Sequence, residues 1–429
     1  MTHHAQQSAG QCPAPQPPVA PSRPLPIFGP AFSANPHATY EQLRAQAPVA
    51  PVEFDRNQWG YLAVTYRAAL HLLRNNPGRF HKDPHHWEAL RRGQVPPDSP
   101  ALMMMAPRDN ALWKDGPEHL RLRGAITAAL RQVDTHQLAH TVREIADQLI
   151  DAFASVGTAD LVRQYCDPLP TLTVNSLYGS PPALSEEIVH TVTRLFLAGP
   201  DAAEANAALE RACLALTRHK RAYPGRDVVS SLIAAGLTDD EMVPTLILLF
   251  GAAGPPPAKL IASGLRRILT DDSFAGDVHT GVRPVTAALD DVLWNEPPVP
   301  NYCPLYANGV QEVEGVRLQP GFPILISFAA ANADPALTLG LPPEARTGNR
   351  GHLSFSAGAH ACAAPDLARI ICETGVERAL DRLPGLALAV PADQLPSLPG
   401  PFIAGPATLP VHFQRGTPHP NRTGRTAAA

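Results

Sequence analysis

His352-Leu-Ser-Phe355-Ser-Ala-Gly358-Ala-His360-Ala-Cys362-Ala-Ala-Pro365-Asp-Leu-Ala-Arg369 decides how this chain is read. Between Ser356 and Ala364, seven of nine residues are Ser, Ala or Gly, so backbone there can approach a flat ligand closely. Pro365 sits where a helix would begin, at a position whose missing N–H costs nothing. Cys362 therefore stands just ahead of a helix N-terminus, where the macrodipole lowers a thiol's pKa. His360, two residues earlier, can donate to an anionic group beside it. A lone cysteine in a small-residue turn is more often simply a buried thiol, so its surroundings must decide.

Working outward, the six cysteines (Cys12, Cys166, Cys213, Cys303, Cys362, Cys372) form no CxxC pair, which is neither a disulfide framework nor a zinc pattern. The chain has 429 residues, of which 45% are apolar and 17% charged, ample for a large core and unlike a disordered chain. With 35 Lys+Arg against 39 Asp+Glu, it lacks the basic excess of a nucleic-acid or anionic-membrane binder. The 48 prolines are roughly twice the usual share, so they belong to loops, tails or deliberate helix breaks. Residues 1–24 lack the apolar core of a signal peptide. The longest apolar run, Leu246–Gly254, is about half a membrane span and runs into three prolines. These features predict a soluble cytoplasmic protein with one domain over 25–413 and flexible tails at 1–24 and 414–429.

Within that domain, helical spacing of apolar residues runs from Pro117 to Val156 and recurs over 36–46, 67–75, 185–196, 203–219, 239–252, 258–269, 285–295 and 365–383. Strands are expected at Trp59–Thr65, Val310–Val313, Val316–Leu318, Ile324–Phe328 and Leu409–Phe413. Residues 83–110 read as a long irregular segment. The fold class is mainly α with a small β lobe.

The pattern Phe355-x-x-Gly358-x-His360-x-Cys362-x-x-x-x-Leu367-Ala-Arg369 resembles the haem-binding loop of the cytochrome P450 family. The resemblance implies that Cys362 is the proximal thiolate ligand of a haem b iron, with Phe355 and Gly358 shaping the loop around it. Asp115-Gly-Pro-Glu-His119-Leu-Arg-Leu-Arg123 is similar to the family's stretch whose His and Arg grip the haem propionates. Their i, i+4 spacing puts both on one helix face, as two carboxylates require. Gly60-Tyr-Leu-Ala-Val-Thr, Ala331-Asn-Ala-Asp-Pro335 and Leu409-Pro-Val-His-Phe413 extend the likeness over residues 36–413. It implies the triangular, mainly helical P450 prism, a monomer, a small-molecule substrate and single electrons from a ferredoxin docking near Arg121, Arg131 or Arg369.

Several positions depart from the family pattern. Ser356 and Ala364 stand where it has glycine, and Leu305 where it usually has a propionate-binding arginine. That would leave His119, Arg123 and His360 to hold the propionates alone. Asp291-Val-Leu-Trp294 replaces the Glu-x-x-Arg pair, and a packed apolar group can equal a buried ion pair in stability. On the distal side, Pro255 and Pro256 fall on the acid and threonine that relay protons for oxygen activation; a register one residue later gives Pro256 and Pro257. Either way no titratable or hydroxyl side chain remains, and three successive prolines should break the helix.

Three functions follow from the resemblance: oxidative radical coupling of an aromatic substrate such as a tryptophan-containing diketopiperazine, conventional hydroxylation of a natural product, or haem binding without turnover. The departures resemble an actinomycete subgroup of the family with Trp in place of the Glu-x-x-Arg arginine and Pro in the distal helix. The likeness to members that couple such diketopiperazines favours the first, which still needs O–O cleavage but no oxygen rebound. His81, His85 and His86 lack the spacing of a closed metal site. Met103, Met104 and Met105 either touch substrate or fill a gap in packing.

Overall fold

The structure, a computed structural model, describes residues 24–196, 202–270, 284–339 and 348–416. Residues 1–23 and 417–429 of the expected tails lie outside the described residues. Gln414 and Gly416 are tied to the body by N–H bonds to the carbonyls of Pro384 (2.8 Å) and Ala154 (3.1 Å).

The first third of the chain interleaves short helices with sheet. Strands β1 (Leu25–Pro26), β2 (Val49–Asp55), β3 (Gln58–Ala63) and β4 (Phe80–His81) alternate with helices α1 (Gly29–Ala34), α2 (Pro36–Gln46) and α3 (Tyr66–Arg74). Short helices α4 (Glu88–Arg91) and α5 (Pro100–Met105) follow, within the segment expected to be irregular. Ser99 caps α5, its hydroxyl accepting from Leu102 N–H, and Met105 is fully buried, which assigns it to packing.

Helices then dominate: α6 (Gly116–Leu130), α7 (Thr135–Asp151), α8 (Pro168–Leu177), α9 (Pro182–Phe196), α10 (Ala202–Ala222), α11 (Val228–Ala234), α12 (Asp239–Ala253), α13 (Pro255–Thr270) and α14 (Val285–Asn295), with β5 (Thr158–Asp160) between α7 and α8. The single helical run expected over 117–156 is thus two helices. Asp134 ends the ambiguity by capping α7, accepting from His136 and Gln137 N–H.

The remaining strands are β6 (Asn301–Ala307), β7 (Gln311–Val313), β8 (Val316–Leu318), β9 (Pro323–Ser327), β10 (Ala387–Leu388) and β11 (Pro410–His412), with α15 (Phe328–Asn332) and α16 (Pro365–Arg382) among them. One sheet runs β1-β2-β3-β9-β6-β4, and the others run β10-β11-β5 and β7-β8. Strands β2 and β6 escape sequence inspection because each contains a proline. Pro304 lies in the register shift between Tyr302 and Leu305, where a missing donor is tolerated. Pro51 lies just outside the pairing of β2 with β1, which covers only Val52 and Glu53.

One core gathers α7, α8, α13, α14 and α16, with Ile150, Tyr165, Ile261, Leu265 and Cys372 among its fully buried members. A second packs α6 and α8 to α12 around Leu209, Leu216, Leu246 and Phe250. Two smaller clusters lie on the large sheet. Together α12 and α13 are long and apolar enough to cross a membrane by composition, but 67% of that window is buried within the protein, as in a core helix.

The three prolines do interrupt this helical run, though more locally than expected. Only Gly254 leaves helical geometry (φ −97°, ψ −81°). Pro255, Pro256 and Pro257 open α13, and the N–H groups of a first turn have no helical partner anyway. Ala258 N–H closes that turn on Gly254 O at 3.1 Å.

Candidate active site

The Cys362 loop is fixed by its own backbone and by two neighbours. Cys362 N–H donates to Phe355 O (2.8 Å), and Ser356 N–H donates to Leu353 O (2.7 Å). Asn332, fully buried, accepts from Leu353 N–H at 2.7 Å and donates to Leu293 O at 3.0 Å, which clamps the loop to the end of α14. Gly358 has φ +71°, and a Cβ there would lie 2.2 Å from Leu73 O. The loop thus packs directly on the last turn of α3, and only glycine fits. Ser356 also has positive φ (+61°), which accounts for a glycine preference there, whereas Ala364 (φ −144°) needs none. Burial accordingly leaves Ser356 Oγ without a hydrogen-bond partner.

Of the four described free cysteines, Cys362 alone is exposed. Burial among neighbouring atoms nevertheless pushes its thiol pKa up, and this outweighs the Ala364 N–H and the Arg123 charge, which pull it down. The net direction is therefore opposite to the lowering that a helix N-terminus predicts for this thiol.

Three sequence-predicted residues, His119, Arg123 and His360, meet at this loop. Arg123, from α6, donates through Nη2 to Ala361 O (2.5 Å). The rings of His119 and His360 lie 4.0 Å apart, tilted by 33°. His360 Nε2 is buried without a hydrogen-bond partner, and its nearest carboxylate oxygen, Asp115 Oδ1, is 3.8 Å away. Burial lowers the pKa of both imidazoles, that of His360 to about 4. Asp115, just ahead of α6, also accepts from Lys82 N–H (2.8 Å) and Asn76 Nδ2 (2.7 Å). Burial would raise its carboxyl, but His360 and these donors win and bring it to about 2.

Beneath the loop lies a buried ion pair that the sequence does not disclose. Arg369 Nη1 meets Asp290 Oδ1 at 2.6 Å, with both side chains almost fully buried. Its other nitrogen faces His352 Nε2 at 3.3 Å, and its Cζ stands 5.6 Å from the centre of the Phe355 ring. Arg369 is therefore no docking residue, whereas Arg121 and Arg131 are exposed. The carboxylate of the expected Asp291–Trp294 exchange lies elsewhere. Asp291 pairs with Arg267 (3.0 Å) at the surface, and Trp294 donates to Asn349 O (2.7 Å) while its ring stands edge-on to His352. Leu305 is core. A buried pair is thus kept, one residue earlier on α14 than expected.

Pro255 and Pro256 are half-buried at the head of α13 and offer neither proton donor nor acceptor on their side chains. Ala252, one turn before, is exposed, although the buried Leu249 and Phe250 lie just ahead of it. Among the histidines, His81 stacks on His86 at 4.7 Å and His85 Nδ1 bonds Asp83 at 2.7 Å.

This donor set fits a haem: an accessible thiol, a guanidinium bonded to its loop from α6, and an imidazole with an orphaned polar nitrogen beside it. The comparisons agree. No protein-family model matches the chain. Cytochrome P450 105C1 of a Streptomyces species is 30% identical over 386 residues, which are 88% of this chain and 95% of that protein. The chain belongs to the cytochrome P450 family. The 2-hydroxy-5-methyl-1-naphthoate 7-hydroxylase of Streptomyces carzinostaticus is likewise 30% identical, over 89% of this P450 and 96% of that enzyme. Testerone-bound CYP154C4 from Streptomyces sp. ATCC 11861 superposes with a TM-score of 0.82 at 26% identity, covering 91% of this chain and 98% of that one. The P450 is an oxidoreductase, its cofactor is haem b, and it takes a small-molecule substrate and electrons from a redox partner.

Lys82, Asp115, Asp290 and Asn332 are the site neighbours that sequence reasoning passed over as functional. Asp115 carries a local signal, lying directly before a Gly-Pro helix start. Lys82 and Asp290 carry none, because their significance rests on burial by distant segments.

Proposed function

We propose that this P450 oxidises an aromatic secondary metabolite by hydrogen or electron abstraction, ending in coupling of two substrate radicals or of a radical and a nucleophile, such as a tryptophan-containing diketopiperazine would undergo. Cys362 binds the iron, His119, Arg123 and His360 hold the propionates, and Phe355 and Gly358 fix the loop. Bound haem b supplies a redox-active iron at which dioxygen is reduced while substrate is oxidised. The observation that carries the proposal is the head of α13: Pro255 and Pro256 supply no acid and no hydroxyl. Protons must then come from ordered water or from the substrate itself. Coupling balances without oxygen transfer: two substrate X–H bonds break, one bond forms between the substrates, and dioxygen takes two electrons from the partner and two from substrate to become two waters. A ferredoxin delivers the partner's electrons to a monomeric, cytoplasmic enzyme, with exposed Arg121 and Arg131 as docking cations.

A second reading, hydroxylation with a substrate hydroxyl or water replacing the relay, is supported by the similarity to a naphthoate hydroxylase. Turnover under isotopically labelled dioxygen separates the two. Coupling gives an unlabelled product lighter than its two halves by two hydrogens; label in the product supports hydroxylation instead.

A further inference from the structure

Three successive prolines do more to α12 than end it. In a helix the N–H of residue i+4 satisfies the carbonyl of residue i, so Pro255, Pro256 and Pro257 withhold the donors due to Gly251, Ala252 and Ala253. The ladder accordingly stops and restarts: Gly254 N–H bonds Phe250 O at 3.0 Å, and Ala258 N–H bonds Gly254 O at 3.1 Å. Among the described residues, no group donates to the three carbonyls between. Such acceptors normally lie at a helix end, where water or a side chain takes them. Here they lie within a largely buried helical run.

They are also reachable. Ala252 is exposed and Gly251 and Ala253 are half-buried, while Leu249 and Phe250 before them and Pro257 and Ala258 after them are buried. Ala253 packs against the same core as Ala363, the residue after Cys362. From α8, Thr171 turns a hydroxyl to the break. It is 4% exposed, and its Oγ1 stands 2.9 Å from where a Cβ on Gly254 would lie. That hydroxyl has no hydrogen-bond partner among the described residues. Three free acceptors and a buried, unpartnered hydroxyl thus meet at one interruption. A ligand that fills it must bring hydrogen-bond donors. A carboxylate or a ketone would face acceptors. An ammonium would lose its water beside apolar side chains, and no residue from Leu246 to Ala258 carries a charge to replace it.

We infer that the carbonyls of Gly251, Ala252 and Ala253 anchor the substrate through a neutral N–H donor, the indole or lactam N–H of an aromatic metabolite. This rests on the proposed placement of the head of α13 against the substrate. The prolines that leave that turn without an acid or a hydroxyl give it three acceptors instead.

The test is binding, not turnover. The full-length holoprotein is titrated calorimetrically with three ligands. The first is cyclo-(L-Trp-L-Trp); the second is its counterpart built from 3-benzothienylalanine, in which sulfur replaces the indole N–H; the third is its lactam N-methylated form. A Soret shift during titration places the ligand beside the haem. The parent should bind about 10- to 100-fold more tightly than the analogue that lacks the anchoring N–H, because that analogue leaves the carbonyls unpaired. The two analogues show whether the anchor is indole or lactam. Combining Pro255→Ala, Pro256→Ala and Pro257→Ala returns a donor to all three carbonyls, and should shrink the ratio to less than about threefold by weakening the parent. Equal affinity of the wild type for all three ligands, as water held on the carbonyls would give, overturns the inference. So does a ratio that the alanines leave unchanged. Should the triple variant not fold, Pro256→Ala alone, which returns a donor to Ala252 O, decides by whether the ratio falls. If none of the three ligands binds with a Soret shift, the diketopiperazine reading fails by itself. The inference is then decided by indole against benzothiophene in wild type and variant, where equal or absent binding overturns it.

Discussion

The cysteine loop and the head of α13 are both built from small or ring-locked residues, yet the structure constrains them in opposite ways. Around Cys362, nearly every residue is fixed by something specific: Gly358 by the Leu73 carbonyl, Leu353 by Asn332, and Phe355 and His352 by the buried Asp290–Arg369 pair. At Gly254–Pro257 the backbone is fixed but the side chains do no chemistry. The difference teaches where this P450 has kept its machinery. On the cysteine-loop side a buried carboxylate–guanidinium pair is present, with Asp290 rather than Asp291 as its acid. The head of α13 has a helix interruption at Gly254 and no titratable or hydroxyl side chain at Pro255–Pro257.

If that contrast is right, substitutions should hurt in proportion to how closely the loop is held. The largest effect belongs to Cys362→Ser, which should abolish the thiolate-type Soret band of the reduced carbonyl complex while leaving far-ultraviolet circular dichroism intact. Retention of the band would move the ligand elsewhere. Next, Gly358→Ala adds a Cβ at 2.2 Å from Leu73 O in a left-handed backbone conformation. It should cost about 3 kcal/mol or more in urea unfolding, because neither the 3-10 turn Gly358–His360 nor the end of α3 can give way. An unchanged midpoint would mean that the loop does not rest on α3.

On the distal side the same kind of surgery should change chemistry rather than stability. Replacing Pro255 by Glu and Pro256 by Thr together leaves the positions in a first turn, where either residue is acceptable, so folding should shift by less than about 1 kcal/mol. The peroxide released per electron consumed should change, since a proton donor and a hydroxyl then sit at the head of α13. A constant ratio would place those side chains away from the reacting oxygen.

The contrast also explains what was legible in the sequence. The loop motif and the His119–Arg123 spacing are local patterns, and the structure brings their residues together. The mainly helical architecture was legible from periodicity, and the interruption at 254 from the prolines. What stayed hidden depended on residues far apart in the chain. Arg369 looks like a surface cation in sequence, but Asp290, 79 positions earlier, takes it into the core. Asp291 looks like the carboxylate of a buried pair, but helical rotation turns it to Arg267 and the surface. The strands β2 and β6 were missed because Pro51 and Pro304 argue against strand until bulges and pairing limits are known.

The smallest and sharpest test lies within the loop itself, at the one place where its identity conflicts with its conformation. Ser356 holds φ +61° and buries a hydroxyl oxygen that finds no partner. For a side-chain-bearing residue the left-handed region costs about 1 kcal/mol, and an unsatisfied buried hydroxyl adds to it. Glycine removes both penalties but gains freedom in the unfolded chain, which returns part of the benefit. Ser356→Gly should therefore stabilise the protein by about 0.5–1 kcal/mol, read as a raised urea midpoint at constant slope. A loss of stability would mean that the Ser356 hydroxyl is bonded in the folded protein, and the loop would then be held by side chains as well as by backbone.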